Sequence, residues 1–293
     1  MSIAQEQSRY TVFSLSRQSS IGRLLRDPAG VTGIVIISIV VMLALFPSVF
    51  APRDPFATDF ERFSPISAAH PMGTDNLGRD VLSRLIYGAR SSMAVGAAAL
   101  VIAMVGGSLI GLVSGYAGGK VDLFAQRVVD AWQAFPTLIL AMAIVAILGP
   151  GIDKAVIAIG MTLVPTVVRV VRGSTISEKN LPYIEAAKVI GGSPFRIVLR
   201  HILPNVSSTI IILASVDLGA AILLEATLGF LSLGAQPPTV SWGSMLSNSG
   251  RRFLEMAPNL AIFPGMAIGL TVFGLSSLGD ALRDVLDPRL RQR

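Results

Sequence analysis

Asn180-Leu-Pro-Tyr-Ile-Glu-Ala-Ala-Lys-Val-Ile-Gly-Gly-Ser-Pro-Phe-Arg-Ile-Val-Leu-Arg-His-Ile-Leu-Pro204 is the stretch whose punctuation decides the fold. Asn180 can cap a helix whose first turn holds Pro182, and Gly191 with Gly192 can end it. Ser193 then caps a second helix with Pro194 at its first position, and Pro204 limits its far end. The prediction is two short helices joined at a sharp turn. Ile184, Ala187, Gly191, Phe195, Val198 and Ile202 recur at helical spacing, whereas Lys188, Arg196 and Arg200 sit at multiples of four from one another. One face is therefore smooth and the other basic. The small residues Ala186, Ala187 and Gly191 would let another protein approach the backbone closely, as docking requires.

On either side of this stretch the chain becomes strongly apolar. Of its 293 residues 52% are hydrophobic and only 14% charged, against roughly a quarter charged in an ordinary soluble domain. A bilayer core needs about 20 apolar residues in one helix. Six intervals meet or approach that length: Val31 to Phe50, Arg90 to Lys120, Asp130 to Asp153, Ala155 to Val168, Ser207 to Leu231 and Leu260 to Leu278. The fourth is short and contains Pro165, so it spans only if Lys154, Arg169 and Arg172 snorkel to opposite interfaces. The expectation is an all-α integral membrane protein of six spans. Residues 1–30 form an N-terminal segment, 31–282 the membrane domain with its connecting loop 173–205, and 283–293 a C-terminal tail. The polar stretch holding Arg9, Arg17, Arg23 and Arg26 and the lack of a cleavage site argue that the first span is retained.

Basic residues give the orientation. Six spans put both termini on one side, and that side collects sixteen of the 24 Lys and Arg residues: Arg9, Arg17, Arg23, Arg26, Lys120, Arg127, Arg169, Arg172, Lys179, Lys188, Arg196, Arg200, Arg283, Arg289, Arg291 and Arg293. By the positive-inside rule both termini and the 180–204 stretch are cytoplasmic. Glycines repeat every fourth residue at Gly107, Gly111 and Gly115, and again at Gly265 and Gly269, giving ridges for close helix packing.

Some chemistry is excluded. There is no Cys, and His70 and His201 are the only histidines, too few for a conventional zinc centre. H-E-x-x-H and G-x-S-x-G are absent, so no catalytic residue is assigned, and without G-x-x-x-x-G-K-[ST] the chain binds no nucleotide of its own. A DNA-binding reading of the basic helix pair fails because Phe195 and Ile197 cannot read base edges. Asp75 and Asp80 match no EF-hand spacing and read as solvated caps, and His70 as a loop residue. Asp80 to Arg90, with Val81, Leu82, Leu85, Ile86 and Ala89 on one face, reads as a helical segment that lies in the outer interface and leads into the second span. Asp217 and Glu225, two turns apart in the fifth span, share broadly one face, which cannot meet lipid without a cost of a few kcal/mol. They either line a translocation path or hold helices together; a path role predicts that Glu225→Gln impairs uptake.

Glu185-Ala186-Ala187, Gly191 and Leu203-Pro204 resemble the EAA motif of bacterial ABC importer permeases, with His201 standing where that pattern has Ile. The resemblance implies the type I importer fold and a coupling helix fitted into a groove on an ATPase subunit. Glu185, Ala186, Ala187, Gly191, Leu203 and Pro204 are its residues here. His70 to Arg84, Gln236-Pro-Pro-Thr with Trp242-Gly243, and Gly279 to Pro288 resemble one subgroup, the dipeptide, oligopeptide and nickel permeases, and within it the second of two non-identical permease subunits. That implies a bacterial inner-membrane permease for di- or oligopeptides, with nickel or glutathione as alternative substrates. The implied partners are a second permease subunit, two cytoplasmic ATPases that hold ATP and Mg, an extracytoplasmic solute-binding protein and membrane lipid, with no nucleic acid. A secondary transporter is the rival, disfavoured by the lack of repeated halves.

Overall fold

The computed structural model describes residues 27–247, 253 and 255–286. Its helices are α1 (Pro28–Leu45), α2 (Pro47–Phe50), α3 (Val81–Ala117), α4 (Gly119–Gln133), α5 (Thr137–Leu148), α6 (Ile152–Lys179), α7 (Pro182–Val189), α8 (Pro194–Ile197), α9 (Leu203–Phe230), α10 (Trp242–Met245) and α11 (Asn259–Leu286). Among the described residues five helices are long and apolar enough to cross a bilayer, and a sixth span exists if the bent pair α4 and α5 counts as one. The expected segment 1–30 falls mostly outside the described residues, as does the tail beyond Leu286.

The expected third span is broken. α4 and α5 meet at 87°, because Pro136 has no amide to continue the ladder and pushes the residue before it out of the helical region. The 12 residues of α5 cover only about 18 Å, short of a bilayer core. Asp130 lies in α4 and pairs with Arg169 of α6 at 2.7 Å. Snorkelling is not what holds the fourth span, since Arg172 also forks onto Asp122 of α4, with two bonds of 2.5 Å. α6 therefore runs on to Lys179, through Pro165, and is twice the expected length.

Two glycine ridges behave differently. A Cβ on Gly107, Gly111 or Gly115 would fall within 3 Å of Val167, Val168 or Thr175, so this ridge carries the close α3–α6 contact that centres the main core. Gly265 and Gly269 have nothing within 4 Å and face away from the subunit's own helices. α11 instead approaches α1 through Gly274, where a Cβ would meet Ile36 at 2.8 Å.

The Asp80 to Arg90 segment leads into the second span as expected, but its apolar face packs on protein. It forms the first turns of α3, whose 37 residues extend about 55 Å, and Val81, Ile86 and Ala89 are buried in protein. Asp80 does cap α3, accepting the Ser83 amide at 2.9 Å, but it is fully buried and bonded to His70 Nδ1 at 3.0 Å. Asp75 is buried too, pairing with Arg79 at 2.6 Å and Arg84 at 3.5 Å. Desolvation explains the difference from a solvated cap: buried carboxylates persist only when such partners surround them.

Candidate functional site

The turn joining the fourth and fifth spans is held from three sides. Pro182 forces Leu181 into an extended conformation (φ −81°, ψ 145°), so Leu181, and not Asn180, stands at the N-cap of α7, while Asn180 closes α6. At the other end Gly191 adopts φ +81°, its amide reaches Lys188 O at 3.0 Å and the Gly192 amide reaches Ala187 O at 3.0 Å. These two bonds form a Schellman motif, which a left-handed residue closes. Ser193 then caps α8, accepting the Arg196 amide at 3.4 Å, as expected.

Pro204 does not end the second short helix. α8 passes through a π-helical turn (Val198–Ile202) directly into α9, with the Leu203 amide reaching back to Val198 O. The wider turn absorbs the donor that Pro204 lacks. One continuous rod thus leads from the connecting turn into the fifth span.

The expected smooth face divides: Gly191 and Phe195 are exposed, and the rest of it faces the core. Ile184, Ala187, Ile197 and Ile202 point inward and join the main hydrophobic cluster, because residues three or four apart on a helix share one side. Of the expected coupling residues, Ala187 is buried and Leu203 half-buried in the subunit itself, while Glu185, Ala186, Gly191 and Pro204 are exposed. The outward surface is instead capped by Val189, Ile190 and Phe195, exposed by 86, 85 and 75%. Phe195 belongs to the stripe read from the sequence, whereas Val189 and Ile190 fall outside its spacing and join Phe195 only through the turn geometry.

Sequence reasoning also missed the brace behind this surface. The Tyr183 hydroxyl contacts the Glu178 carboxylate on α6 and accepts Asn205 Nδ2 of α9 at 2.9 Å. Burial, and then the Glu178 carboxylate, push the Tyr183 hydroxyl up to about 12, so it remains a donor at neutral pH. Lys179 Nζ donates to Tyr116 O at 2.5 Å, joining the ends of α6 and α3. A push on α7 therefore reaches three membrane helices through short, specific contacts.

Asp217 and Glu225 are both buried in the bundle, but the structure does not bring them together. Eight residues of helix rotate the second about 80° from the first and raise it about 12 Å. Glu225 faces Ser92 of α3 and Ser241, which caps α10.

With this geometry in place, comparison with known proteins gives the class. The family of binding-protein-dependent transport system inner membrane components matches residues 107–292, more than half of the chain. The chain belongs to that family: it is a multi-pass inner-membrane permease of the ABC importer type, a transport subunit and not an enzyme in itself. It is 41% identical over 286 residues to the dipeptide transport system permease protein DppC of Alkalihalophilus pseudofirmus, covering 97% of this chain and 93% of that one. It is 40% identical over 271 residues to the glutathione transport system permease protein GsiD of Pectobacterium atrosepticum, covering 92% and 90%. It is also 40% identical over 286 residues to the probable D,D-dipeptide transport system permease protein DdpC of Escherichia coli, covering 97% and 94%. Among solved structures, the MetNI methionine ABC transporter in inward-facing conformations matches with a TM-score of 0.57 at 18% identity, over 69% of this chain and 96% of that one. This last likeness bears on the fold alone.

Proposed function

We propose that this permease carries di- or oligopeptides inward as one half of a heterodimeric pathway, driven by ATPase subunits that dock on α7. The exposed apolar tip on a braced helix carries the reading: three large apolar side chains left in water at the end of a bundle mark a partner surface. Two cytoplasmic ATPases supply the nucleotide chemistry with their own ATP and Mg, and an external solute-binding protein delivers the solute. ATP-driven closure of the ATPase pair draws the two α7 helices together. The Tyr183 brace and the continuous α8–α9 rod pass that displacement into the membrane, where contacts that differ between states shift the equilibrium. Both termini lie in the cytoplasm, on the side that holds sixteen of the 24 basic residues.

A peptide substrate is favoured over nickel because the three relatives described above are named for dipeptides or glutathione. Asp217, buried at mid-span on α9, is our candidate for a path-facing carboxylate. The test is uptake by the complete complex in proteoliposomes with its binding protein outside and ATP inside. Labelled dipeptide should accumulate only with ATP, and Asp217→Asn should lower the rate without lowering assembly. Accumulation driven by an ion gradient without ATP would overturn the reading.

A further inference from the structure

The external turn α10 is sunk into the outer end of the bundle. Trp242 Nε1 donates to Leu85 O at 2.9 Å, and the Trp242 amide donates to Ser92 Oγ at 3.2 Å. A Cβ on Gly243 would lie 2.5 Å from Ala226 O, so backbone packs on backbone where α10 crosses α9. Beneath this contact sits Glu225, 1% exposed. The hydroxyls of Ser92 and Ser241 lie beside it, yet neither reaches hydrogen-bond geometry in this conformation, and among the described residues both carboxyl oxygens are without a partner.

Donor and acceptor bookkeeping matches these groups to one another. Ser92 Oγ already accepts the Trp242 amide, and Ser241 Oγ accepts the Ser244 amide at 3.2 Å. Each hydroxyl therefore has an O–H left to donate, and Glu225 offers two empty acceptors at the same place. Leaving a buried polar group unpaired costs about 1–3 kcal/mol, and a well-packed apolar residue would avoid that cost. A carboxyl at this position is explained by the bonds it makes after a small side-chain rotation.

We propose that Glu225 latches α10 onto α3 and α9 by accepting the Ser92 and Ser241 hydroxyls, and that it acts through hydrogen bonding, neither through its charge nor by touching the transported solute. It is a positioning residue for the outer mouth, keeping the α10 turn seated while the helices around it change state.

Hydrogen exchange of the whole complex in nanodiscs, read on the 239–247 amides, tests this alongside uptake. In Glu225→Leu, which keeps the bulk and removes the acceptors, exchange of the Trp242 and Ser244 amides should rise about tenfold and uptake fall about tenfold, the worth of one or two such bonds. Glu225→Gln retains an acceptor and should stay near wild type in both. Glu225→Met reads the same loss if the Leu variant fails to assemble. Unchanged exchange in the apolar variants would remove the latch. Loss of uptake in Glu225→Gln with α10 still protected would also overturn it, since the carboxylate would then act on the solute. The exchange readout needs no transported solute, so its failure is separate from a failure of the peptide reading.

Discussion

Replacing Val189 and Ile190 together by Asp yields a permease that inserts and packs normally but loses about thirtyfold or more of its ATP-driven uptake. Both side chains are exposed and contribute nothing to the subunit's own core, and surface changes away from packing sites shift stability by about 0.5 kcal/mol or less. At a docked interface the same two positions become central. Losing a buried apolar anchor costs about 2 kcal/mol or more, and a carboxylate left in its place adds a desolvation cost. Thermal unfolding of the isolated subunit should be unaltered, while co-purification of the ATPase subunits and stimulated hydrolysis should fall together. Retained co-purification would show that the tip at Val189 and Ile190 is not the contact.

Gly191→Val should damage coupling with less effect on docking. The position has φ +81° and open space around its missing Cβ, so the requirement is conformational and not steric. A β-branched residue held in the left-handed region costs about 1–3 kcal/mol, enough to slow uptake about tenfold by breaking the Schellman closure. Gly191→Asn tolerates that region better and should retain most of the activity. Equal activity in both variants would mean that the end of α7 is not held rigid during transport.

How much of this could be read from the sequence depended on which physical signal marked each feature. Apolar length with little or no charge marked the six intervals, because burying charge in lipid is costly wherever it occurs. The same signal is blind to backbone, so it missed the break at Pro136 and stopped the fourth span at Arg169, where ion pairs to Asp122 and Asp130 let α6 continue. Turn chemistry located Gly191, Gly192 and Ser193 correctly, since left-handed closure and side-chain capping are local. Asn180 lost its capping role by one residue to the constraint that Pro182 puts on Leu181. Helical periodicity found the stripe through Ile184 and Ala187 but could not say whether it faced a partner or the subunit's own core. The Tyr183–Glu178–Asn205 brace and the Glu225–Ser92–Ser241 group were out of reach, for they join residues from separate elements that only packing brings together.

The proposed function rests on α7 presenting its apolar tip to a nucleotide hydrolase on the inner side of the membrane. The chain has no native Cys, so a single Val189→Cys substitution carrying a photoreactive maleimide reports on that position alone. Irradiation of the assembled complex should capture the ATPase subunit, with a yield that changes between nucleotide-free and ATP-bound states. Capture of lipid only, or labelling of the introduced thiol by an impermeant reagent added outside intact cells, would contradict it.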